Sequence, residues 1–137
     1  MTTTTLTNHQ ARARADYLNI ALWTFQGWIA MFFIAAGYAK LSEPMENLIV
    51  LMQWPAAASE AFVRGLGVAE IILAAMVLAP LVSWRFGRPL LLTAAAGLLI
   101  LESIALGVHA FGLDLGLSLT NVFLIAITAP VLWLRRR

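Results

Sequence analysis

The chain alternates between four long apolar runs and short polar connections. A helix needs about 20 apolar residues to cross the hydrocarbon core of a bilayer, and each of the four runs is close to this length. The pattern predicts an all-α integral membrane protein, a four-helix bundle with spans at residues 20–41, 62–81, 89–111 and 115–134. Residues 19–137 are expected to form one transmembrane domain. Residues 1–18 are expected to form a polar tail, disordered up to Ala15.

A fifth apolar stretch, residues 45–54, lies in the connection between the first and second spans. It is too short to cross a bilayer. Ser42 and Pro44 precede it and Pro55 follows it, and these residues favour the start and the end of a helix. We therefore expect a short helix lying at the membrane interface.

The composition excludes a water-soluble globular domain. Of the 137 residues, 61% are hydrophobic and 12% are charged, against about 25% charged in a typical soluble domain. The chain has no cysteine, which excludes disulfides, thiolate nucleophiles and cysteine-ligated clusters. The net charge of +2 comes from arginines beside the apolar runs. We therefore expect the lipid bilayer as a partner, and no nucleic acid.

The distribution of charge predicts the orientation of the bundle. Arginines lie in the N-terminal tail, in the second connection and at the C-terminus, whereas glutamates lie in the first connection. Because basic residues are enriched in cytoplasmic loops, both termini are predicted to be cytoplasmic. The interfacial helix then lies on the outer side of the membrane.

Ionisable residues within the spans are the candidates for function, because each costs on the order of 3 kcal/mol to insert. They are Lys40, Arg64, Glu70, Glu102 and His109. From the helical rise, both glutamates lie about 12–13 Å below the outer ends of their helices. They are predicted to form one layer in neighbouring helices. The basic residues form a second layer nearer the outer surface, from which Arg64 is expected to reach Glu102.

These residues are assigned roles by their chemistry. Glu70 and Glu102 are the candidate catalytic residues, since carboxylates can act as general acid and base. The candidate ligand-binding residues are Lys40, Arg64, His109 and Tyr38. Tyr38 would form an apolar slot for a ring-shaped ligand with the two phenylalanines before it in the first span. The alternative is that opposite charges only fix helix packing, with Lys40 and Arg64 extending to the interface.

Two short motifs resemble the DoxX-like family of small bacterial membrane proteins. The first span ends in Gly37-Tyr38-Ala39-Lys40-Leu41, similar to the Gly-x-x-Lys-Leu ending of that family. The second span contains Gly67-Val68-Ala69-Glu70, similar to its Gly-x-x-Glu. Arg64 precedes this second motif, and a proline-containing segment separates the two. The resemblance covers most of residues 20–135, although only the first two spans carry a motif.

The resemblance implies a four-helix protein of the bacterial inner membrane. The family takes its name from a subunit of thiosulfate:quinone oxidoreductase, and some relatives are linked to redox complexes and oxidative-stress defence. By resemblance, Lys40, Arg64, Glu70 and Glu102 would form a shared polar centre. Some relatives of this architecture use cysteine pairs, a chemistry that this chain lacks.

The sequence leaves several functions open, and it leaves open whether the protein is an enzyme. The working hypothesis is a subunit of a quinone-linked redox complex, with a partner subunit supplying the electron carrier. Quinone is the candidate cofactor, and no covalently bound or metal cofactor is expected. The alternatives are a small proton-coupled transporter, an enzyme using Glu70 and Glu102 on a lipophilic substrate, and a purely structural subunit. A second copy of the chain is another candidate partner.

Overall fold

The computed structural model describes residues 2–137, with side chains from residue 8 onward, as five α-helices and two short 3-10 helices. The α-helices are α1 (Thr2–Ser42), α2 (Met45–Met52), α3 (Glu60–Leu78), α4 (Trp84–Phe111) and α5 (Leu115–Arg135); the 3-10 helices are Trp54–Ala57 and Ala79–Leu81. The four longer helices are long and apolar enough to cross a membrane. The predicted four-span bundle is therefore confirmed, and α2 forms the short helix expected between the first two spans.

The N-terminal segment differs from its prediction. The disordered tail expected up to Ala15 is wrong over the described residues, because α1 begins at Thr2; Met1 lies outside them. The residues that precede the apolar run include alanine, arginine and glutamine, which are good helix formers. Nucleation is the unfavourable step of helix formation. A helix that has started in the apolar run therefore extends through these residues without a second nucleation step.

The bundle packs as two antiparallel pairs, α1 against α3 and α4 against α5. Ile29, Leu91, Leu98 and Val131 lie fully buried in the shared core. Many large apolar side chains, such as Ile100, remain exposed on the helices that span the membrane. Such a surface is stable in contact with lipid rather than with water.

The two ends of the bundle are formed by different connections. The end that holds the α3–α4 connection and Arg135 is called the inner end here, and the end that holds α2 and the α4–α5 turn is called the outer end. At the inner end, Arg135 Nη1 donates to Asn19 Oδ1 at 2.7 Å. This contact brings the end of α5 beside α1, as expected for an even number of antiparallel spans.

Asp114 organises the outer end through both of its carboxylate oxygens. Oδ1 accepts a hydrogen bond from Leu117 N at 2.9 Å and caps α5, as side chains at helix N-termini commonly do. Oδ2 accepts from Gln53 Nε2 at 2.8 Å. Gln53, which ends α2, has φ of 61°, a left-handed conformation that is uncommon for residues other than glycine. The chain after α2 is thereby tied to the α4–α5 turn.

Candidate functional site

A buried ion pair joins α1 to α3. Lys40 Nζ donates to Glu70 Oε2 at 2.7 Å and to Glu70 Oε1 at 3.0 Å. The two side chains are only 5% and 8% exposed. Lys40 therefore does not extend to the interface, the alternative left open by the sequence, but turns inward to neutralise the carboxylate.

Two glycines allow this pairing by bringing the helix backbones into contact. A Cβ atom added to Gly37 would lie 2.6 Å from the Gly67 carbonyl oxygen, and one added to Gly67 would lie 2.8 Å from that of Gly37. Small residues commonly permit such close crossings in membranes. Lys40 follows Gly37 by three residues, and Glu70 follows Gly67 by three. Each charged residue therefore lies about one turn beyond the crossing.

Glu102 occupies a different environment from that of Glu70. It is 1% exposed, and its Oε1 accepts a hydrogen bond from Thr128 Oγ1 at 2.8 Å. Its Oε2 has no hydrogen-bond partner among the described residues. From residue 8 onward, where side chains are described, no lysine, arginine or histidine lies within ion-pair distance of Glu102. Glu102 is thus a buried acid without a countercharge and with one oxygen available.

The four spanning helices enclose a cavity of about 440 Å³ in the outer half of the bundle, called the outer cavity here. Most of its lining is apolar. The aromatic lining residues are Phe32, Phe33, Trp54 and Phe62, and the polar ones are Lys40, Glu70, Glu102, His109, Thr120 and Asn121. The cavity combines apolar walls with a few polar groups, as small-molecule sites commonly do.

Four of the six predicted site residues line this cavity: Lys40, Glu70, Glu102 and His109. The predicted contact between Arg64 and Glu102 is wrong. The Arg64 guanidinium donates to the carbonyl oxygens of Lys40 and Glu43, and to Glu60 Oε1. The end of a helix leaves such carbonyls without partners in its own backbone. Arg64 therefore fastens the end of α1 and lies outside the lining of the cavity.

The structure does not bring Tyr38 to the outer cavity. It is 66% exposed and lies along a separate, shallow apolar groove, which is formed mainly by α1. The other two aromatic residues of the expected slot, Phe32 and Phe33, do line the outer cavity. Tyr38 is five residues beyond Phe33, a spacing that places it on a different face of the helix.

Sequence reasoning missed Thr128 and the aromatic residues at the outer end. The signal that could have identified Thr128 is a hydroxyl group in the apolar run of the fourth span. This span is the antiparallel neighbour of the helix that carries Glu102. Trp54 packs edge-to-face against Phe62 with ring centroids 6.4 Å apart. This contact depends on the path of the chain after α2, which no local pattern predicts.

A second polar group, also missed, surrounds Arg135 at the inner end. Arg135 Nε donates to Gln26 Oε1 at 3.0 Å, and Gln26 Nε2 donates to the Val77 carbonyl oxygen at 3.1 Å. The guanidinium lies 5.1 Å from the ring centres of both Trp23 and Trp84, within the usual range for cation–π contacts. In the sequence, the run of arginines at the C-terminus indicates only the orientation of the bundle.

The fold and the cavity define a class, a four-helix membrane protein with a polar site enclosed by its spans. The sequence pattern of the DoxX-like family matches residues 24–131, and the chain belongs to that family. Both glycine motifs and all of the residues that line the outer cavity lie within the matched region. Comparison with curated proteins found no match, and comparison with solved structures found none either.

Proposed function

We propose that this DoxX-like protein is a subunit of a quinone-linked redox complex in the bacterial inner membrane, with cytoplasmic termini. In this proposal the outer cavity binds a quinone head group. The volume of the cavity supports this, since about 440 Å³ falls within the usual range of roughly 300–1,000 Å³ for small-molecule sites. The aromatic walls suit a flat ring.

The observation that carries the proposal is the hydrogen-bonding capacity that remains at the buried charges. A lysine ammonium group has three N–H donors, and hydrogen bonds to both Glu70 oxygens leave one free. Glu102 Oε2 has no hydrogen-bond partner in the part of the chain that the structure describes, and a protonated carboxyl group can donate. A quinone has two carbonyl oxygens that accept hydrogen bonds. Lys40 and Glu102 therefore offer one donor for each.

The same residues suit the proton exchange that accompanies quinone chemistry. A quinone takes up two protons when it gains two electrons, so acid and base groups beside its oxygens are useful. Glu102 is the candidate group for this exchange, and His109 lines the same cavity nearer the outer end. The electrons are supplied by a partner subunit. The role of this chain is to bind and orient the ring and to exchange protons with it.

Tryptophan fluorescence can test the binding, because quinones quench nearby tryptophans and Trp54 lines the cavity. The protein in lipid nanodiscs is titrated with a short-chain ubiquinone analogue. We expect saturable quenching that is largely lost in Trp54→Phe. Glu102→Leu should weaken binding roughly tenfold because it removes one hydrogen-bonding group. Glu102→Gln, which keeps a donor, should retain most of the affinity.

The matched control is Glu46→Leu, because Glu46 is exposed on α2 and does not line the cavity. Its affinity should equal that of the wild type. The proposed ligand is wrong if the folded protein shows no saturable quenching, or if Glu102→Leu binds as well as Glu46→Leu. Cross-linking in native membranes with mass spectrometry tests the redox partner. Absence of any redox subunit there would contradict the proposed complex.

A further inference from the structure

The outer cavity opens sideways between α3 and α4. Phe62 on α3 and Ile104 on α4 both line the cavity, yet each is 60% exposed. Val108, one turn beyond Ile104, also lines it and is 48% exposed. Side chains that border the cavity and the outer surface at once form the rim of an opening.

The α3–α4 hairpin explains why this opening lies in its outer half. At the inner end the two helices are joined by a short connection, where Gly87 lies against the backbone of Ala79 and Pro80. Leu73 packs near Gly97 further along. At the outer end α3 begins and α4 ends, and no connection joins them there.

The opposite side of the cavity is more closed. On α1, Phe33 is 4% exposed, and on α5, Leu124 is 3% exposed and Asn121 is buried. Phe32, at 38% exposed, is the α1 lining residue that is exposed most. The widest exposure of the lining therefore faces the lipid between α3 and α4.

We propose that the ligand of this cavity is an amphiphile dissolved in the membrane, with a hydrocarbon tail that leaves between Phe62 and Ile104. This inference rests on the proposed function and narrows its ligand to tailed quinones. The Glu70 carboxylate lies deeper than the rim, since Glu70 is eight residues from Phe62 along α3. The rim side chains are apolar, so a hydrocarbon tail that passes between them desolvates no charged group.

The opening can be tested with two isoleucines one turn apart on the same face of α4. Ile100 and Ile104 are 61% and 60% exposed, but only Ile104 lines the outer cavity. Ile104→Trp should narrow the opening and weaken binding of a decyl-tailed quinone roughly tenfold. It should weaken binding of the tail-less, short-chain analogue much less, because that analogue does not occupy the opening. Ile100→Trp should change the affinity for neither ligand. Because both substitutions add a tryptophan that a quinone would quench, equilibrium dialysis with empty nanodiscs as the blank measures the four affinities, those of each variant for each ligand.

A decyl-tailed quinone with a diazirine near the end of its tail gives an independent readout. After irradiation, we expect labelled peptides from the outer halves of α3 and α4. Labelling confined to α1 and α5, or equal binding of the tailed quinone to Ile104→Trp and Ile100→Trp, would overturn the inference while leaving the head-group site intact. If neither the tailed nor the tail-less quinone binds the wild type, the inference and the proposed function both fail.

Discussion

The bundle has two buried polar groups, one in its outer half and one at its inner end. The buried cation of each group is stabilised in a different way. In the outer group, Lys40 is neutralised by Glu70 at 2.7 Å. At the inner end, Arg135 has no carboxylate within ion-pair distance among the described residues. It is held by neutral oxygens, including Gln26 Oε1 at 3.0 Å, and by two tryptophan rings.

This difference distinguishes the outer group, a candidate ligand site, from the inner group, a contact that holds helices together. The outer group borders a cavity and keeps spare hydrogen-bonding capacity at Lys40 and Glu102. Arg135 Nη2 in the inner group is also buried and has no hydrogen-bond partner among the described residues, but the inner group does not line that cavity. The two tryptophans belong to α1 and α4, and Arg135 belongs to α5, so the contact fastens three helices together. We therefore expect ligand binding to depend on the outer group alone, and stability to depend on both.

The largest expected effect is that of Lys40→Met, which leaves Glu70 as a buried charge without a partner. Breaking a buried pair from one side costs about 3–5 kcal/mol, and we expect the free energy of unfolding to fall by that amount. Titration of the protein in mixed micelles with a denaturing detergent, followed by circular dichroism, measures it. Quinone binding should also weaken, by roughly tenfold as in Glu102→Leu, because Lys40 provides one of the two proposed donors.

The double variant Lys40→Met/Glu70→Leu is the control for this prediction. It removes both charges, so no uncompensated carboxylate remains. Replacing a whole buried pair with apolar residues is often close to neutral for stability. We expect the double variant to be more stable than Lys40→Met alone. If the single variant is as stable as the double variant, the unpaired charge of Glu70 is not what destabilises Lys40→Met.

A smaller effect is expected for Arg135→Met, because no described residue forms an ion pair with Arg135 and would be left as an unpaired charge. The substitution leaves the oxygens of Gln26 and Asn19 without their donors. Gln26 is buried, and an unpaired buried polar group costs about 1–3 kcal/mol, whereas the exposed Asn19 can bind water instead. The same detergent titration measures the loss. Binding of the short-chain quinone should be unchanged. Weakened binding in a folded Arg135→Met protein would contradict the separation of the two groups.

The sequence predicts the number of spans and the depth of the charges because both follow from one-dimensional quantities. Apolar run length indicates a span, and the helical rise converts residue number into depth. This reasoning places Glu70 and Glu102 in one layer, and both residues line the outer cavity.

The partners of the charges could not be predicted in the same way, because they depend on how the helices are rotated against one another. Arg64 was expected to reach Glu102, yet it turns to the end of α1. Arg135 belongs to a run of three arginines at the end of the chain, and only the structure shows that the first of them packs between tryptophans. Depth is encoded locally, whereas pairing across helices depends on the whole bundle.

The smallest effect is expected at Glu60, which pairs with Arg64 at 3.0 Å on the surface of α3. The Glu60 side chain is 63% exposed, and exposed pairs of this spacing contribute only about 0.3–0.5 kcal/mol. Glu60→Gln should therefore change the free energy of unfolding by no more than that, measured by the same detergent titration.

Glu60→Gln is also the exposed counterpart of Lys40→Met, since each variant removes one partner of an ion pair. If burial sets the cost, the two losses should differ by several kcal/mol. Similar losses would mean that the helix contacts around Lys40, rather than its charge, stabilise the outer group. The comparison is clean because Arg64 keeps its hydrogen bonds to the carbonyl oxygens of Lys40 and Glu43 in Glu60→Gln, so the end of α1 stays fastened.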